Sequence, residues 1–329
     1  MKIFAALVAA FVVLPAGAVA QEIAPVTPVP LPGPAQRPTF RSSAALVSLN
    51  VTVQDASSRF VSGLQPSDFV VYEDGVKQDV RFFESASVPV DLIVLIDTSS
   101  SMSDKIHAVH EAASGFLRTL RPGDRGAVVT FADGVTVLQS LTPDHALLES
   151  AVRGTGASGQ TALYNAVYIS LKQFGQAAHG SSDVRRQAIV VLSDGQDTCS
   201  LVTLNDVMAV ARKLGVNIYT VSLQSPAAVN QIAEQGGRRL DSGADDAMKT
   251  MARETGAQAF FPGAPQLKQV YSTIATELAN QYSIGYVPAN NRADGRFRRV
   301  IVQIITRPGL HPRTRPGYTA EGSSRSPSM

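Results

Sequence analysis

Between Pro89 and Gln281 the sequence alternates between short apolar runs and amphipathic helical patterns, and this alternation constrains the fold more than any other feature. The first run, Leu92 to Ile96, is continuously apolar, which is typical of a strand buried on both faces of a parallel sheet. The segment from Lys105 to Leu120 then places apolar residues at helical spacing. Repeated units of this kind predict an α/β fold, a doubly wound and mostly parallel sheet with helices on both faces.

The later units follow the same order along the chain. Strands are predicted at 127–131, 136–138, 188–192, 217–222 and 258–261, and helices at 146–152, 163–174, 204–214, 245–255 and 266–281. The short strand at 136–138 is interpreted as a hairpin partner at one edge of the sheet.

The segments that flank this α/β unit carry strand patterns without helices. Polar and apolar residues alternate from 45 to 54, and two strands are predicted at 68–72 and 76–83, with a turn at 73–75 between them. After Gln281 two further strands are predicted, at 282–287 and 298–306. A β segment of about 45 residues is small for an independent domain. We therefore hypothesise that the N- and C-terminal flanks join in one small antiparallel β module.

The N-terminus has the pattern of a cleavable secretory signal. Lys2 precedes an apolar run at 3–14, and the small residues Ala18-Val19-Ala20 predict cleavage before Gln21. A membrane anchor is the alternative, but this run is shorter than the roughly 20 apolar residues that span a bilayer, and no later stretch is long enough. We expect an exported bacterial protein, periplasmic or secreted, without a transmembrane segment after cleavage.

The predicted organisation combines these segments in chain order. It consists of a signal peptide at 1–20, a proline-rich linker at 21–43, an N-terminal β module at 44–88, the α/β domain at 89–281, a C-terminal β segment at 282–320 and a disordered tail at 321–329. The 29 Lys and Arg residues nearly balance the 27 Asp and Glu residues, so no strong field favours nucleic acid as a partner. The single cysteine, Cys199, excludes an intramolecular disulfide and a multi-cysteine metal site.

Oxygen-bearing side chains follow two of the predicted parallel strands, where ligands bind in open α/β sheets. Asp97, Ser99 and Ser101 form a DxSxS motif after the first strand, and Asp194 follows the strand at 188–192. Thr161 comes after the glycine-rich segment 154–159 and begins a helix. Two carboxylates and three hydroxyls suit a hard cation such as Mg²⁺, with Mn²⁺ or Ca²⁺ as alternatives. The sequence therefore predicts a metal site built from these five residues.

This pattern resembles the metal-ion-dependent adhesion site (MIDAS) of von Willebrand factor type A (VWA) domains at all five positions. The resemblance covers about residues 90–281. It implies that Ser99, Ser101 and Thr161 bind the metal directly and that Asp97 and Asp194 act mostly through water. It also implies a protein partner that supplies an Asp or Glu to the metal. A non-enzymatic, adhesion-type binding protein is the function that follows.

The flanks resemble an exported bacterial subgroup, the VWFA-related family first noted in acidobacterial genomes. The resemblance rests on the segments 68–75, 281–286 and 316–318. This subgroup has no common assigned activity, so the resemblance adds nothing on the partner.

Two other functions stay open, a metal-dependent hydrolase that uses the same crevice and a structural envelope protein with a vestigial site. An aspartyl phosphatase would need a second Asp at the position of Ser99. The GxGxxG pattern at 154–159 follows a helical segment, not a strand, so it does not indicate a dinucleotide site. His107 and His110 match no zinc-protease motif and are expected to face solvent.

Three further features receive structural interpretations. Asp197 is interpreted as an exposed loop acid, with a role as an extra metal ligand as the alternative. Cys199 is interpreted as a half-buried free thiol, with an intermolecular disulfide or a redox site as the alternative. The C-terminal arginines are interpreted as a solvated strand face, with a contact to a polyanion or to the cell envelope as the alternative. They are Arg296, Arg298, Arg299, Arg307, Arg313 and Arg315.

Overall fold

A computed structural model describes residues 46–85, 88–178, 184–194, 197–223 and 243–320, which belong to one compact unit. The predicted signal peptide, linker and C-terminal tail lie outside the described residues, as does Gly195. In the described part of the chain, no helix has the length and apolar character needed to cross a membrane.

The elements are named in chain order. The strands are β1 (Val47–Gln54), β2 (Phe69–Glu73), β3 (Val76–Gln78), β4 (Val80–Ser85), β5 (Val90–Asp97), β6 (Arg125–Phe131), β7 (Val135–Thr142), β8 (Arg186–Ser193), β9 (Asn217–Ser222), β10 (Ala259–Phe260), β11 (Tyr282–Tyr286), β12 (Phe297–Ile304), β13 (His311–Arg313) and β14 (Gly317–Thr319). The helices are α1 (Ile106–Leu117), α2 (His145–Arg153), α3 (Leu163–Ala178), α4 (Leu204–Leu214), α5 (Gly243–Glu254) and α6 (Leu267–Asn280).

The central sheet has the strand order β10-β9-β8-β5-β6-β7, in which β7 alone of the described strands runs antiparallel to its neighbour. Strand β5 lies in the middle and is buried along its whole length. Leu92 and Val94 pack in the core layer that includes α1 and α6, whereas Ile93 and Leu95 pack in the layer that includes α3 and α4. Burial on both faces explains why β5 is continuously apolar, and the predicted α/β fold class is confirmed.

The flanks form two antiparallel sheets with the orders β13-β1-β11-β4 and β14-β12-β2-β3. Each sheet combines strands from both flanks, because β1 pairs with β11 and β2 pairs with β12. Alternate residues of these strands share one apolar core that includes Leu49, Val71, Ile284 and Val300. An antiparallel module built from both flanks was part of the predicted fold class, which is thus confirmed. The domain boundaries themselves stay predictions.

The prediction of one continuous strand at 76–83 was wrong. The segment divides at Asp79 into β3, which pairs with β2, and β4, which pairs with β11 in the other sheet. The Gln78 side chain stabilises this crossing, since its amide donates to the Val76 carbonyl at 3.0 Å and its Oε1 accepts from the Ala289 N–H at 2.9 Å. The sequence pattern does not reveal this change of sheet, because the pairing of each half is decided by contacts with distant strands.

A buried arginine joins the beginning and the end of the α/β unit. Arg186, at the start of β8, is 4% exposed and donates to the carbonyl of Val88 at 2.8 Å. It also donates to the carbonyl of Leu278, near the end of α6, at 2.8 Å. These bonds satisfy backbone carbonyls where the chain enters β5 and leaves α6.

Candidate metal centre

The site begins at Asp97, the last residue of β5, whose side chain is fully buried. One carboxylate oxygen accepts the backbone N–H of Ser99 at 2.8 Å, and the other accepts the hydroxyl of Ser193 at 2.5 Å. Burial raises the pKa of Asp97, and the hydrogen bonds from Ser193 and Ser99 oppose that rise. Asp97 therefore fixes the start of the loop that carries the two serines of the motif.

Ser99, Ser101 and Asp194 form one line of polar contacts. The hydroxyls of Ser99 and Ser101 lie 3.1 Å apart, and the Ser101 hydroxyl donates to Asp194 at 2.7 Å. Asp194 reaches this position because β8 and β5 are parallel neighbours, with Leu192 opposite Ile96. The carboxyl ends of the two strands are thus side by side, as the sequence predicts.

The glycine-rich loop closes one side of the crevice. The Ser158 N–H donates to the Thr98 carbonyl at 2.6 Å, and the Ser100 N–H donates to the Gly159 carbonyl at 3.1 Å. Gly159 has φ +87°, a conformation that side chains other than glycine rarely adopt. Two residues later, Thr161 is 5% exposed. The loop therefore attaches the Thr161 segment directly to the DxSxS segment.

The backbone of Thr161 is also held from the loop that follows β8. The Thr161 N–H donates to the Thr198 hydroxyl at 3.0 Å, and the Thr161 carbonyl accepts the Thr198 N–H at 2.8 Å. All five predicted site residues thus lie on segments that contact one another, and four of them share one network of hydrogen bonds.

Lys105 is a member of this network that the sequence analysis missed. Its ammonium group contacts the second carboxylate oxygen of Asp194 and donates to the Ser101 carbonyl at 3.1 Å. The Lys105 side chain is 13% exposed and that of Asp194 is 4% exposed, so the ion pair is largely removed from water. A lysine just before a helix is normally solvated, and nothing in the local sequence indicates this pairing.

The family model for the von Willebrand factor type A domain matches residues 91–262, more than half of the chain. The chain belongs to the VWA family. The match bears out the family resemblance, whereas the exported acidobacterial subgroup remains a hypothesis. VWA domains commonly mediate adhesion between proteins through a divalent metal at a MIDAS.

Several solved structures are similar to this VWA chain. A von Willebrand factor type A protein from Catenulispora acidiphila is 13% identical, with a TM-score of 0.48, over 85% of this chain and 74% of that one. Proximal thread matrix protein 1 from the mussel byssus is 16% identical, with a TM-score of 0.45, over 58% of this chain and 48% of that one. The same mussel protein with a zinc-occupied MIDAS motif gives 16% identity and a TM-score of 0.46, over 62% and 50%.

The VWA chain spans about half the length of the mussel proteins that it matches. No curated protein matches the chain.

The donor set of this VWA domain fits a hard divalent ion. Two adjacent ligands of an octahedral ion with bonds of about 2.1 Å lie about 3 Å apart. The hydroxyls of Ser99 and Ser101 have a separation of 3.1 Å. Among the described residues, no group of three or more His, Cys, Asp and Glu could hold a metal. Any ion held here by described residues therefore depends on hydroxyl ligands as well as carboxylates.

Several expectations near this VWA site were wrong. Asp197 is not an exposed loop acid, because its carboxylate accepts the Tyr164 N–H at 3.2 Å and the Ser200 hydroxyl at 2.5 Å. It therefore caps the first turn of α3. His110 is half-buried with its Nε2 2.5 Å from the Thr155 hydroxyl, whereas His107 is exposed as expected. Burial, and to a lesser degree His107, lowers the pKa of His110.

The interpretation of the C-terminal arginines as a solvated face was also wrong in part. Arg298 is 5% exposed and donates to Asp294 at 2.9 Å. Arg315 donates to the carbonyls of Arg212 and Ser48, each at 2.9 Å. These side chains satisfy backbone and carboxylate oxygens within the molecule. Cys199 is a half-buried free thiol, as expected.

Other supporting residues were missed besides Lys105. Ser193 bonds to Asp97, Thr198 positions Thr161, and Asp133 accepts the Gln160 N–H at 2.7 Å. A signal existed for Ser193 and Asp133, because both lie at the carboxyl ends of predicted parallel strands, where side chains converge.

Proposed function

We propose that this chain is an exported, adhesion-type binding protein whose VWA domain holds a divalent ion, with Mg²⁺ as the first choice. The observation that carries the proposal is the line of contacts through Asp97, Ser99, Ser101 and Asp194 at the ends of β5 and β8. These residues supply the ligand types of a MIDAS in the order and on the elements that the family uses.

In this proposal the hydroxyls of Ser99, Ser101 and Thr161 contact the ion, and Asp194 supports it through water. The buried Asp97 supports it by holding the loop that carries the two serines. A bound divalent ion would supply an electrophilic position that a carboxylate of a protein partner can occupy. The chain's residues orient that position, because Asp97 fixes the serine loop and the glycine-rich loop fixes Thr161. Affinity for the partner would come mainly from the surrounding protein surface.

A binding role is proposed over a catalytic one because of how Asp97 is used. A nucleophilic carboxylate needs an oxygen that faces the substrate. Both oxygens of Asp97 accept hydrogen bonds within the protein, from Ser99 and Ser193, and the residue is fully buried. Turnover of generic phosphate esters in the presence of Mg²⁺ would contradict this part of the proposal.

Thermal unfolding tests the metal site. The mature protein and its Asp97→Ala variant would be compared in chelator and in millimolar Mg²⁺, Mn²⁺ or Ca²⁺. A ligand at about one hundred times its Kd stabilises the folded state by roughly 2.7 kcal/mol. We expect this gain in the wild type and not in the variant. An equal gain in both proteins would contradict the assignment of the site.

The open position has its own test. Water-proton relaxation reports the water molecules on bound Mn²⁺, and a carboxylate that occupies the open position displaces one of them. We expect relaxation enhancement to fall when an Asp-containing peptide is added and to stay constant with the matched Asn peptide. Equal responses to both peptides would contradict recognition of a carboxylate.

Export is proposed from the N-terminal signal pattern, with the periplasm or the medium as the destination. N-terminal sequencing of the protein recovered outside the cytoplasm should begin at Gln21. A chain that retains Met1 would contradict cleavage at this site.

A further inference from the structure

Lys105 places a positive charge against Asp194, one of the two carboxylates that the proposed function assigns to the metal site. Its ammonium group contacts Asp194 and lies 3.1 Å from the Ser101 carbonyl oxygen, and the Ser101 hydroxyl bonds to the same carboxylate at 2.7 Å. Both oxygens of Asp194 therefore have a partner in this arrangement. The negative charge of Asp194, which the proposed function assigns to the metal site, is therefore already neutralised by Lys105.

The base of the Lys105 side chain is fixed, whereas its end can move. The Lys105 N–H donates to the Met102 carbonyl at 2.9 Å, and the Lys105 carbonyl accepts the Val109 N–H at 3.1 Å as α1 begins. Met102 is fully buried, which anchors this turn in the core. The four-carbon stem of lysine is flexible. The ammonium group can thus leave Asp194 without any change in the backbone.

A divalent ion and the ammonium group cannot share this crevice at low cost. Like charges within about 4–6 Å disfavour each other, and the weak exposure of Lys105 and Asp194 limits screening by water. The next acid within reach is Asp104, whose carboxylate lies 3.9 Å from the ammonium group and is 75% exposed. Asp104 offers the displaced ammonium group a partner in a solvated position.

We propose that Lys105 is a tethered competitor for the divalent ion: it neutralises Asp194 when no ion is bound and must swing away when one binds. The inference rests on the proposed function, because it concerns the same site. Its consequence is a weaker affinity for the ion than the oxygen ligands alone would give, together with a crevice that stays folded without metal.

The test compares the wild type with Lys105→Met, which keeps most of the apolar stem and removes the charge. Titration calorimetry with Mn²⁺ and with Mg²⁺ measures affinity, and unfolding in chelator measures the stability of the metal-free protein. We expect Lys105→Met to lower the Kd for the ion by about tenfold, the size expected from a hydrogen-bonded charge pair. We also expect a lower melting temperature than the wild type in chelator and an equal one at saturating Mg²⁺.

Two further variants serve as controls. Lys268→Met removes an equal charge from an ion pair with Glu111 in which both side chains are about two-thirds exposed, and it should leave the Kd unchanged. Lys105→Gln replaces Lys105→Met if the latter does not fold.

The outcomes separate the inference from the proposed function. An unchanged or raised Kd in the Lys105 variants, with binding lost in Asp97→Ala, would overturn the role of Lys105 and leave the metal site standing. A lack of Mn²⁺ and Mg²⁺ binding in the wild type and in the Lys105 variants alike would overturn both.

Discussion

Arg313 of β13 forms an ion pair with Glu277 of α6, with 2.6 Å between the guanidinium nitrogen and the carboxylate oxygen. Glu277 is fully buried, and the same oxygen accepts the hydroxyls of Thr52 at 3.0 Å and Tyr219 at 2.8 Å. The four residues come from β13, α6, β1 and β9. One carboxylate thus connects the antiparallel module with the last helix and the sheet of the VWA domain.

Glu277→Gln should lower the free energy of unfolding by about 2 kcal/mol. Removal of one partner of a fully buried ion pair costs about 3–5 kcal/mol, and Arg313 is 28% exposed, so water offsets part of the loss. Urea unfolding measures the difference. Glu111→Gln, in the exposed pair with Lys268, is the matched control and should cost less than about 0.5 kcal/mol. Equal effects of the two substitutions would contradict the importance of the buried pair.

Ser193→Ala should raise the Kd for Mn²⁺ about tenfold without unfolding the protein. The Ser193 hydroxyl orients Asp97, and residues that support metal ligands typically contribute 10- to 100-fold in affinity. Ser170→Ala is the control, because among the described residues its buried hydroxyl has no hydrogen-bond partner. Calorimetric titration compares the three proteins. An unchanged Kd in Ser193→Ala would show that Asp97 needs no such support.

Gly159→Ala should destabilise the protein by about 2 kcal/mol. Its φ of +87° is strained for alanine, and the new Cβ would collide with the carboxylate of Asp133. Gly156, three residues earlier in the same loop, has no heavy atom within 4 Å of an added Cβ and no positive φ. Gly156→Ala should therefore leave the unfolding midpoint nearly unchanged. Similar losses in both variants would mean that general loop flexibility, not Gly159 itself, is required.

We expect Asp68 to make the stability of the protein depend on pH. Hydrogen bonds from the Thr306 hydroxyl and the Gln65 N–H lower the pKa of Asp68 below its ordinary value of 3.8. Because the folded-state pKa is the lower one, the stabilisation is present above the ordinary value and is lost as the pH falls through the folded-state value. The wild type should exceed Asp68→Asn in stability at neutral pH, and the difference should shrink below about pH 4.

Urea unfolding across this pH range checks the expectation for Asp68. Thr306→Val removes one donor and should weaken the same pH dependence. A difference between the wild type and Asp68→Asn that stays constant down to about pH 2 would refute it.

Helices and strands are predicted well from the sequence where the whole segment has one kind of burial pattern. The apolar run of β5 and the helix α4 lie where the periodicity of the sequence places them. In α4 the local sequence also fixes the first turn, because Thr203 and Asp206 form a capping box there. Strands β13 and β14 have three residues each, and the first contains a proline, so neither has a period to detect. Their pairing with β1 and β12 is decided by tertiary contacts.

The same distinction holds at the site. Asp97 and Asp194 could be predicted to meet because parallel strand ends converge. The pairing of Lys105 with Asp194 joins residues that are 89 positions apart, and no local pattern encodes it. Lysine side chains are mostly exposed to solvent, so the burial of Lys105 against a carboxylate is recognised only from the three-dimensional structure.

Strands β1 and β4 both pair with β11 and not with each other, and Ser85 lies opposite Tyr282. Strands β4 and β11 are antiparallel neighbours, and the VWA domain is the segment of chain that connects them. In topological terms they are the two arms of a β-hairpin whose loop is a whole domain. During synthesis β4 has no β11 to pair with until the chain up to Tyr286 has left the ribosome. By then the chain of the VWA domain has already been synthesised. Closing so long a connection is costly for an unfolded chain. The folded domain, in which Arg186 donates to carbonyls at both the entry and the exit, holds the two arms close enough to pair.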